Sequence, residues 1–452
     1  MSADKTLVRG GHVLTAGPAG ALEDAAVLVA GGLIEAVGPY AELKAAHPEA
    51  AELGGPHDLV LPGFVNTHGH FSEGLITGIA EQYTLWEWLH ALIDPVRPHL
   101  DHESAYVGTL VAGVQMLRSG ITTANDMFVC DPRTEPVTPG VVAALDELNL
   151  RGVVSFGAGD MGAPDGIGPR MDEHTALLEA AAKSRLSTFR VGIGAVGGQS
   201  EELFAASVDL AAGGGHGVHI HLQEVREEVT ATFQRFGRTP VAHCAHEGLF
   251  AAPTLAAHCV WVDRHDRELM ALHRVGVAHN PVANMILASG AAPVMEMRAL
   301  GIDVGIGVDG AASNDSQDFL QALKSAAMLA RVTSRQATAM TASEAFEMAT
   351  IGGARALRMD DRIGSLEPGK AADLVVLDGE SPTLANVHDP YQAVVWVAGS
   401  REVKDVLVDG RPSVAAGEVV TVDVPELVRR SRPLARDLVR KAGLGHLSGL
   451  AR

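Results

Sequence analysis

Between residues 61 and 360 the chain alternates short apolar runs with longer stretches whose apolar residues recur at helical spacing. Eight runs can be strands: Phe64–His68, Ile121–Asp126, Gly152–Gly157, Phe189–Ala195, Val218–Leu222, Leu255–Val260, Val275–Asn280 and Asp303–Val308. Helix-like stretches such as Glu103–Arg118, Glu201–Ala212, Arg264–Arg274 and Gln317–Arg331 separate them. A strand–helix unit repeated eight times predicts an α/β fold, a (β/α)8 barrel of TIM type. A doubly wound open sheet competes, but it requires a phosphate-binding glycine turn after its first strand. The chain has His68-Gly69-His70 there instead.

The two ends read differently. Residues 6–60 are short strand-like runs broken by glycine pairs, as in Val8-Arg9-Gly10-Gly11-His12-Val13 and Val29-Ala30-Gly31-Gly32-Leu33-Ile34. The same texture returns in Ala372–Leu377 and Val403–Arg411. Residues 1–60 and 361–424 are therefore expected to form the two parts of a small β-sandwich domain, with 61–360 as the barrel. Residues 425–452 are expected to be a helical extension, its charged helix Pro425–Arg440 packed on the outside.

Composition narrows the function. Hydrophobic residues make up 47% and aromatics only 4%, so Ala, Val, Leu and Gly must fill a sizeable core. A formal net charge of -20 disfavours nucleic acid or an anionic membrane as partner. Three scattered cysteines, Cys130, Cys244 and Cys259, form no CxxC pair and no disulfide framework, which suits a reducing cytoplasm. No signal-peptide pattern opens the chain, and no uncharged apolar run reaches the length of a membrane span.

Candidate chemistry gathers at the C-terminal ends of the predicted strands, where barrel enzymes place their sites. The first run closes on His68 and His70, two apart and so on one side of the pleat, able to reach one ion. An isolated His-x-His is more often two surface histidines. Here the fifth run adds His219-Ile220-His221-Leu222-Gln223-Glu224, the sixth His258 and the eighth Asp309. Unrelated stretches each donating a His or a carboxylate at a strand end are hard to explain as surface decoration. Imidazole is the commonest neutral metal ligand and aspartate a hard oxygen donor.

These motifs resemble the amidohydrolase superfamily, in particular its aminohydrolases and chlorohydrolases of s-triazines, nucleosides and other nitrogen heterocycles. The resemblance runs through Pro62–His70, Gly120–Asn125, His219–Glu224, Ala257–Val260, Ala278–Asn280, Val308–Asn314 and Gly364–Leu377. In Val308–Asn314 it is closest to deaminases of methylthioadenosine and S-adenosylhomocysteine. It implies His68, His70, His221 and Asp309 as ligands of one divalent ion, Glu224 as proton shuttle, and His258 as the group that orients the attacking water or polarises the substrate. The residues support the same reading. A divalent ion lowers the pKa of a bound water to roughly 7, Asp309 can take its proton, and Glu224 can protonate a ring nitrogen. Binuclear relatives bridge two ions with a lysine on strand four, and Phe189–Ala195 contains none, the nearest being Lys183 in the preceding helix-like stretch. One ion per chain follows, zinc by donor type, with iron or manganese as substitutes.

The expected reaction is deamination of an aminopurine, aminopyrimidine, pterin or aminotriazine. Dechlorination or dealkylamination of an s-triazine-like ring is the alternative, and a non-catalytic scaffold the third reading. A small heterocyclic substrate and a homo-oligomer are expected. Candidate substrate contacts are Trp86, able to stack on a planar ring, Gln199 and His279. Trp88 reads as core, Cys259 as a buried small hydrophobe, His219 as packing or support for the metal site, and His243 with His246 as an exposed helix. Nucleoside-type relatives carry a substrate-binding His after strand four where this chain has Val196, which puts adenosine-type substrates in doubt.

Overall fold

Every predicted strand run forms a strand in the computed structural model, which describes residues 5–163 and 165–447. The outermost parts of the expected terminal segments, 1–4 and 448–452, lie outside the described residues. We label the barrel strands β1 (Phe64–His70), β2 (Ile121–Phe128), β3 (Arg151–Phe156), β4 (Ser187–Ala195), β5 (Gly217–Leu222), β6 (Thr254–His258), β7 (Gly276–His279) and β8 (Val304–Ile306). They pair in parallel in that order. The barrel closes where Ile306 pairs with Asn66, and Asp309–Gly310 resume the ladder beside Gly69–His70. The predicted eighth strand is thus broken at Gly307–Val308, because the Val308 N–H leaves the ladder to donate to Asn66 Oδ1 at 2.9 Å.

Alternation along each strand divides the barrel's inside from its outside. Val65, Val153, Leu255, Ala257 and Ala278 share one buried cluster with the helix Ile351–Ala356, which closes the N-terminal end. The intervening Ile220, Ala256 and Val277 join the large core beneath the surrounding helices. Small residues let the closing helix approach: a Cβ on Gly276 would stand 2.4 Å from the Ala356 carbonyl oxygen. The apolar plug leaves the opposite end for polar groups.

The terminal strands form a separate nine-stranded sheet. Its halves meet where Leu59–Pro62 runs antiparallel to Leu374–Leu377. Val27 and Val29 of one half share a buried cluster with Leu374, Val376 and Leu407 of the other, so the sheet folds over on itself as the expected small β domain from both termini. Arg151 at the start of β3 reaches it with two hydrogen bonds to Asp373, at 2.8 and 2.9 Å, both side chains buried. The helix Val424–Lys441 packs outside on His102–Arg118 through Leu427 and Leu438, with Arg430 on Glu103 at 2.7 Å. Among the described residues no helix is long and apolar enough to cross a membrane.

Candidate metal centre and active site

β1, β5, β6 and the return after β8 bring His68, His70, His221, His258 and Asp309 together at the C-terminal mouth. One nitrogen of each of His68, His70 and His221 lies within 4.8 Å of the others, and His68, His258 and Asp309 meet the same limit. Asp309 Oδ1 is 3.3 Å from His68 Nε2 and 3.5 Å from His70 Nε2.

The hydrogen bonds behind these rings fix their tautomers. His70 Nδ1–H donates to the Met127 carbonyl at 2.6 Å, and His221 Nδ1–H to the Gly194 carbonyl at 2.6 Å. Each ring therefore turns an unprotonated Nε2 inward, and these two lone pairs face each other across 3.1 Å. Two acceptors at that distance repel unless a cation lies with them. The third ring follows from a longer chain. The Ser155 hydroxyl donates to the Asp126 carbonyl at 2.7 Å, so its oxygen accepts from His219 Nδ1–H at 3.0 Å. His219 Nε2 then accepts from His68 Nδ1–H at 2.8 Å. His68 Nε2 is left buried, free and without a hydrogen-bond partner. Three inward imidazole nitrogens and one carboxylate oxygen suit a divalent cation of zinc type, and β4 carries no lysine for a second ion.

Burial pushes His68 down to about 4 and His70 and His221 below the usual imidazole value, so all three are neutral at pH 7, the form in which imidazole can bind a metal. Burial alone would raise Asp309, but His68, His258 and His70 around it hold its carboxyl well below the usual range. Glu224, also buried, moves the other way: burial raises it, against His258 and a hydrogen bond from Ser289. Its Oε1 accepts the Ser289 hydroxyl at 3.0 Å, and its Oε2 lies 3.5 Å from His258 Nε2. His258 Nε2 is also 3.7 Å from Asp309 Oδ2, while its Nδ1 bonds Asn284 Oδ1 at 2.9 Å. Gln223, His258 and Asp309 all occupy the left-handed backbone region, at φ 52°, 71° and 64°. Such strain persists where packing over-determines the turn, and it clusters at working sites.

His219 supports the site rather than merely packing, through its bond to His68. His243 departs from the expected exposed helix: it is buried, its ring stacked on Phe236 at 4.0 Å and 16°, because Pro240–His246 folds back on the preceding helix. His246 is exposed as expected. Cys259 and Trp88 are buried. Trp86 stands on the surface after β1, 40% exposed. Gln199 is buried, with Nε2 donating to the Ala158 carbonyl at 3.0 Å. His279 is buried on the strand face opposite Ala278, and burial pushes it down to about 4. Among the described residues none of these three hydrogen-bonds to a ligand or to Glu224.

Sequence pattern assigns no role to Ser155, Asn280, Asn284, Ser289 or Glu228. A signal existed for two of them. Ser155 and Asn280 stand two positions after the interior residues Val153 and Ala278, towards the C-terminal mouth. The other three lie on helices and turns after their strands, where no periodicity aims a side chain.

A (β/α)8 barrel that gathers three neutral imidazoles and a carboxylate at its strand ends defines a barrel enzyme with a metal centre. Residues 59–412 match the amidohydrolase family, to which the chain belongs, and residues 25–50 match an imidazolonepropionase-like composite domain of bacteria. The chain is similar to the 5-methylthioadenosine/S-adenosylhomocysteine deaminase of Pelotomaculum thermopropionicum, 36% identical over 439 residues, covering 96% of this chain and 99% of that protein. Among solved structures it resembles an adenosine deaminase from Xanthomonas campestris with bound zinc, at a TM-score of 0.88 and 30% identity over 96% of this chain and 98% of that one. It also resembles the atrazine chlorohydrolase of Arthrobacter aurescens complexed with zinc, at 0.86 and 25% over 95% and 100% of the two chains. The protein is thus a hydrolase acting on carbon–nitrogen bonds.

Proposed function

We propose that this chain is a zinc-dependent deaminase of a heteroaromatic amine, with an aminopurine ring as the first candidate. The observation that carries this reading is the placement of Glu224. A buried carboxyl whose pKa burial raises faces the same space as His258 and Asp309, placed to pass a proton to a ring nitrogen. Carbon beside that nitrogen then becomes electrophilic. His68, His70, His221 and Asp309 would hold a divalent ion, which when bound would supply the nucleophile by lowering the pKa of water. Asp309, ionised beside the imidazoles, accepts the proton that the nucleophile loses. His258, fixed by Asn284, offers Nε2 as a hydrogen-bonding group to the attacking oxygen. The proton taken up by Asp309 leaves with the amino group as ammonia, the remaining hydroxyl proton returns to Glu224, and the product keeps the oxygen as a carbonyl beside the ring N–H.

Two observations pull on the size of the substrate. The names of its relatives favour an adenosine-type molecule. Val196, 2% exposed, offers no hydrogen bond where nucleoside-type relatives carry a histidine, which favours the free heterocycle. The purine ring is common to both. The test is ammonia and chloride release from adenine, guanine, adenosine, methylthioadenosine, aminopyrimidines, aminotriazines and chlorotriazines, with elemental analysis of the protein. We expect ammonia from an amino-heterocycle and about one zinc per chain. Chloride without ammonia would make it a dechlorinase. Glu224→Gln should lower kcat by ~10²–10⁴-fold with the metal retained.

A further inference from the structure

The turn that carries Glu224 is held by more than its own strand. Gln223, in the left-handed region, spends its amide on neighbours: Oε1 accepts the Val241 N–H at 3.1 Å, and Nε2 donates to the Trp261 carbonyl at 2.9 Å and Asp266 at 3.0 Å. None of these contacts reaches Glu224. The Glu224 N–H instead donates to Glu228 Oε2 at 3.1 Å. Glu228 lies in the first turn of the helix Arg226–Phe236.

A glutamate there often reaches back to free N–H groups as a helix cap, from an exposed position. Glu228 is only 6% exposed, and its Oε1 has no hydrogen-bond partner. Burial and the nearby Glu224 push its carboxyl up to about 7, against the hydrogen-bonding backbone of this turn. An exposed acid would cap the helix without that desolvation. The next residue back, Glu227, is such an acid and is exposed. What burial adds is a rigid anchor directly behind the catalytic carboxyl.

We propose that Glu228 is a positioning residue for the reaction, clamping the Glu224 N–H so that the Glu224 carboxyl is aimed at the substrate. This rests on the deaminase reading of Glu224. Glu228 itself touches neither substrate nor metal. Its loss lets the turn relax, and a small misplacement of a proton donor slows the chemical step much more than it weakens binding.

The test compares Glu228→Ala, Glu228→Asp and the exposed control Glu227→Gln, all loaded with zinc. Hydrogen exchange followed by mass spectrometry reads the clamp without any substrate. Steady-state kinetics on the best amine of the panel read its consequence. For E228A, which removes the acceptor, we expect faster exchange at Glu224 but not in β5, kcat at least tenfold lower, KM within about twofold, and unchanged zinc content. E227Q should match the parent. If E228A does not fold, E228D, which keeps the charge but is one methylene shorter, carries the same readings. Faster exchange with unchanged kcat overturns the positioning role, as does a change confined to KM. If the parent protein releases no ammonia from any amine, the deaminase reading fails first, and the exchange result then concerns the turn alone.

Discussion

His219 illustrates how far a metal ligand depends on the residue behind it. The lone pair that His68 turns to the candidate metal site exists because His219 accepts a hydrogen bond from the N–H on the other side of the ring, and His219 is set in turn by Ser155. Replacing His219 by Phe keeps a ring of similar size and removes the acceptor. Zinc affinity, measured by competition with a chelator, should fall about 10–100-fold. His174 tests a different consequence of burial. It lies far along the chain from the ligands, between Phe156 and Phe189, with neither ring nitrogen bonded among the described residues, and burial pushes it down to about 4. The unfolded chain binds this proton near pH 6.5 and the folded one only near 4. Its contribution is therefore intact at neutral pH and lost as pH falls from about 6.5 to about 4, a change on the order of 3 kcal/mol. Denaturant unfolding at pH 7 and pH 5 should show the loss, and His174→Phe should reduce it. An unaltered pH dependence in that variant would assign the loss to other groups.

At the scale of elements, the barrel strands were legible because each is an apolar run between helical stretches, and the pleat then fixes which residues face inward. What closes the barrel was not legible. The helix Ile351–Ala356 has no pattern that sends it under the barrel rather than around it, and only the tight approach at Gly276 and Gly305 shows the fit. Gly276→Val should therefore push the closing helix from the strands and destabilise the fold by about 1–3 kcal/mol. Urea unfolding measures this, and a midpoint equal to that of the parent would mean the helix moves aside freely. The break in the eighth strand has the same character: Asn66 captures the backbone N–H of Val308 just after β8, and Asp309 turns in towards the histidines.

At the scale of the whole molecule, barrel and terminal sheet are joined by a buried ion pair. Arg151 and Asp373 are 222 residues apart, and Asp373 Oδ1 also accepts the Asp409 N–H at 2.7 Å. Removing one member leaves a charge in a dry interface, which costs about 3–5 kcal/mol, whereas removing both charges costs much less. Arg151→Met should show the large loss in equilibrium unfolding, and the double variant R151M/D373N should recover part of it, since asparagine still accepts the Asp409 N–H. Equal stability of the two variants would mean that the pair carries no such coupling.

The sequence by itself determined the barrel and the small sheet from both ends, and it singled out His68, His70, His221 and Asp309 as candidate ligands with Glu224 as candidate proton shuttle. It did so because strand period, strand ends and histidine spacing are local properties. Tertiary structure alone decided which nitrogen each ligand histidine presents, how Ser155, Asn284 and Ser289 fix the reacting groups, and that Glu228 lies beneath Glu224. Those facts depend on hydrogen bonds between segments tens of residues apart or on the fold of a strained turn, and neither leaves a periodic trace in the chain.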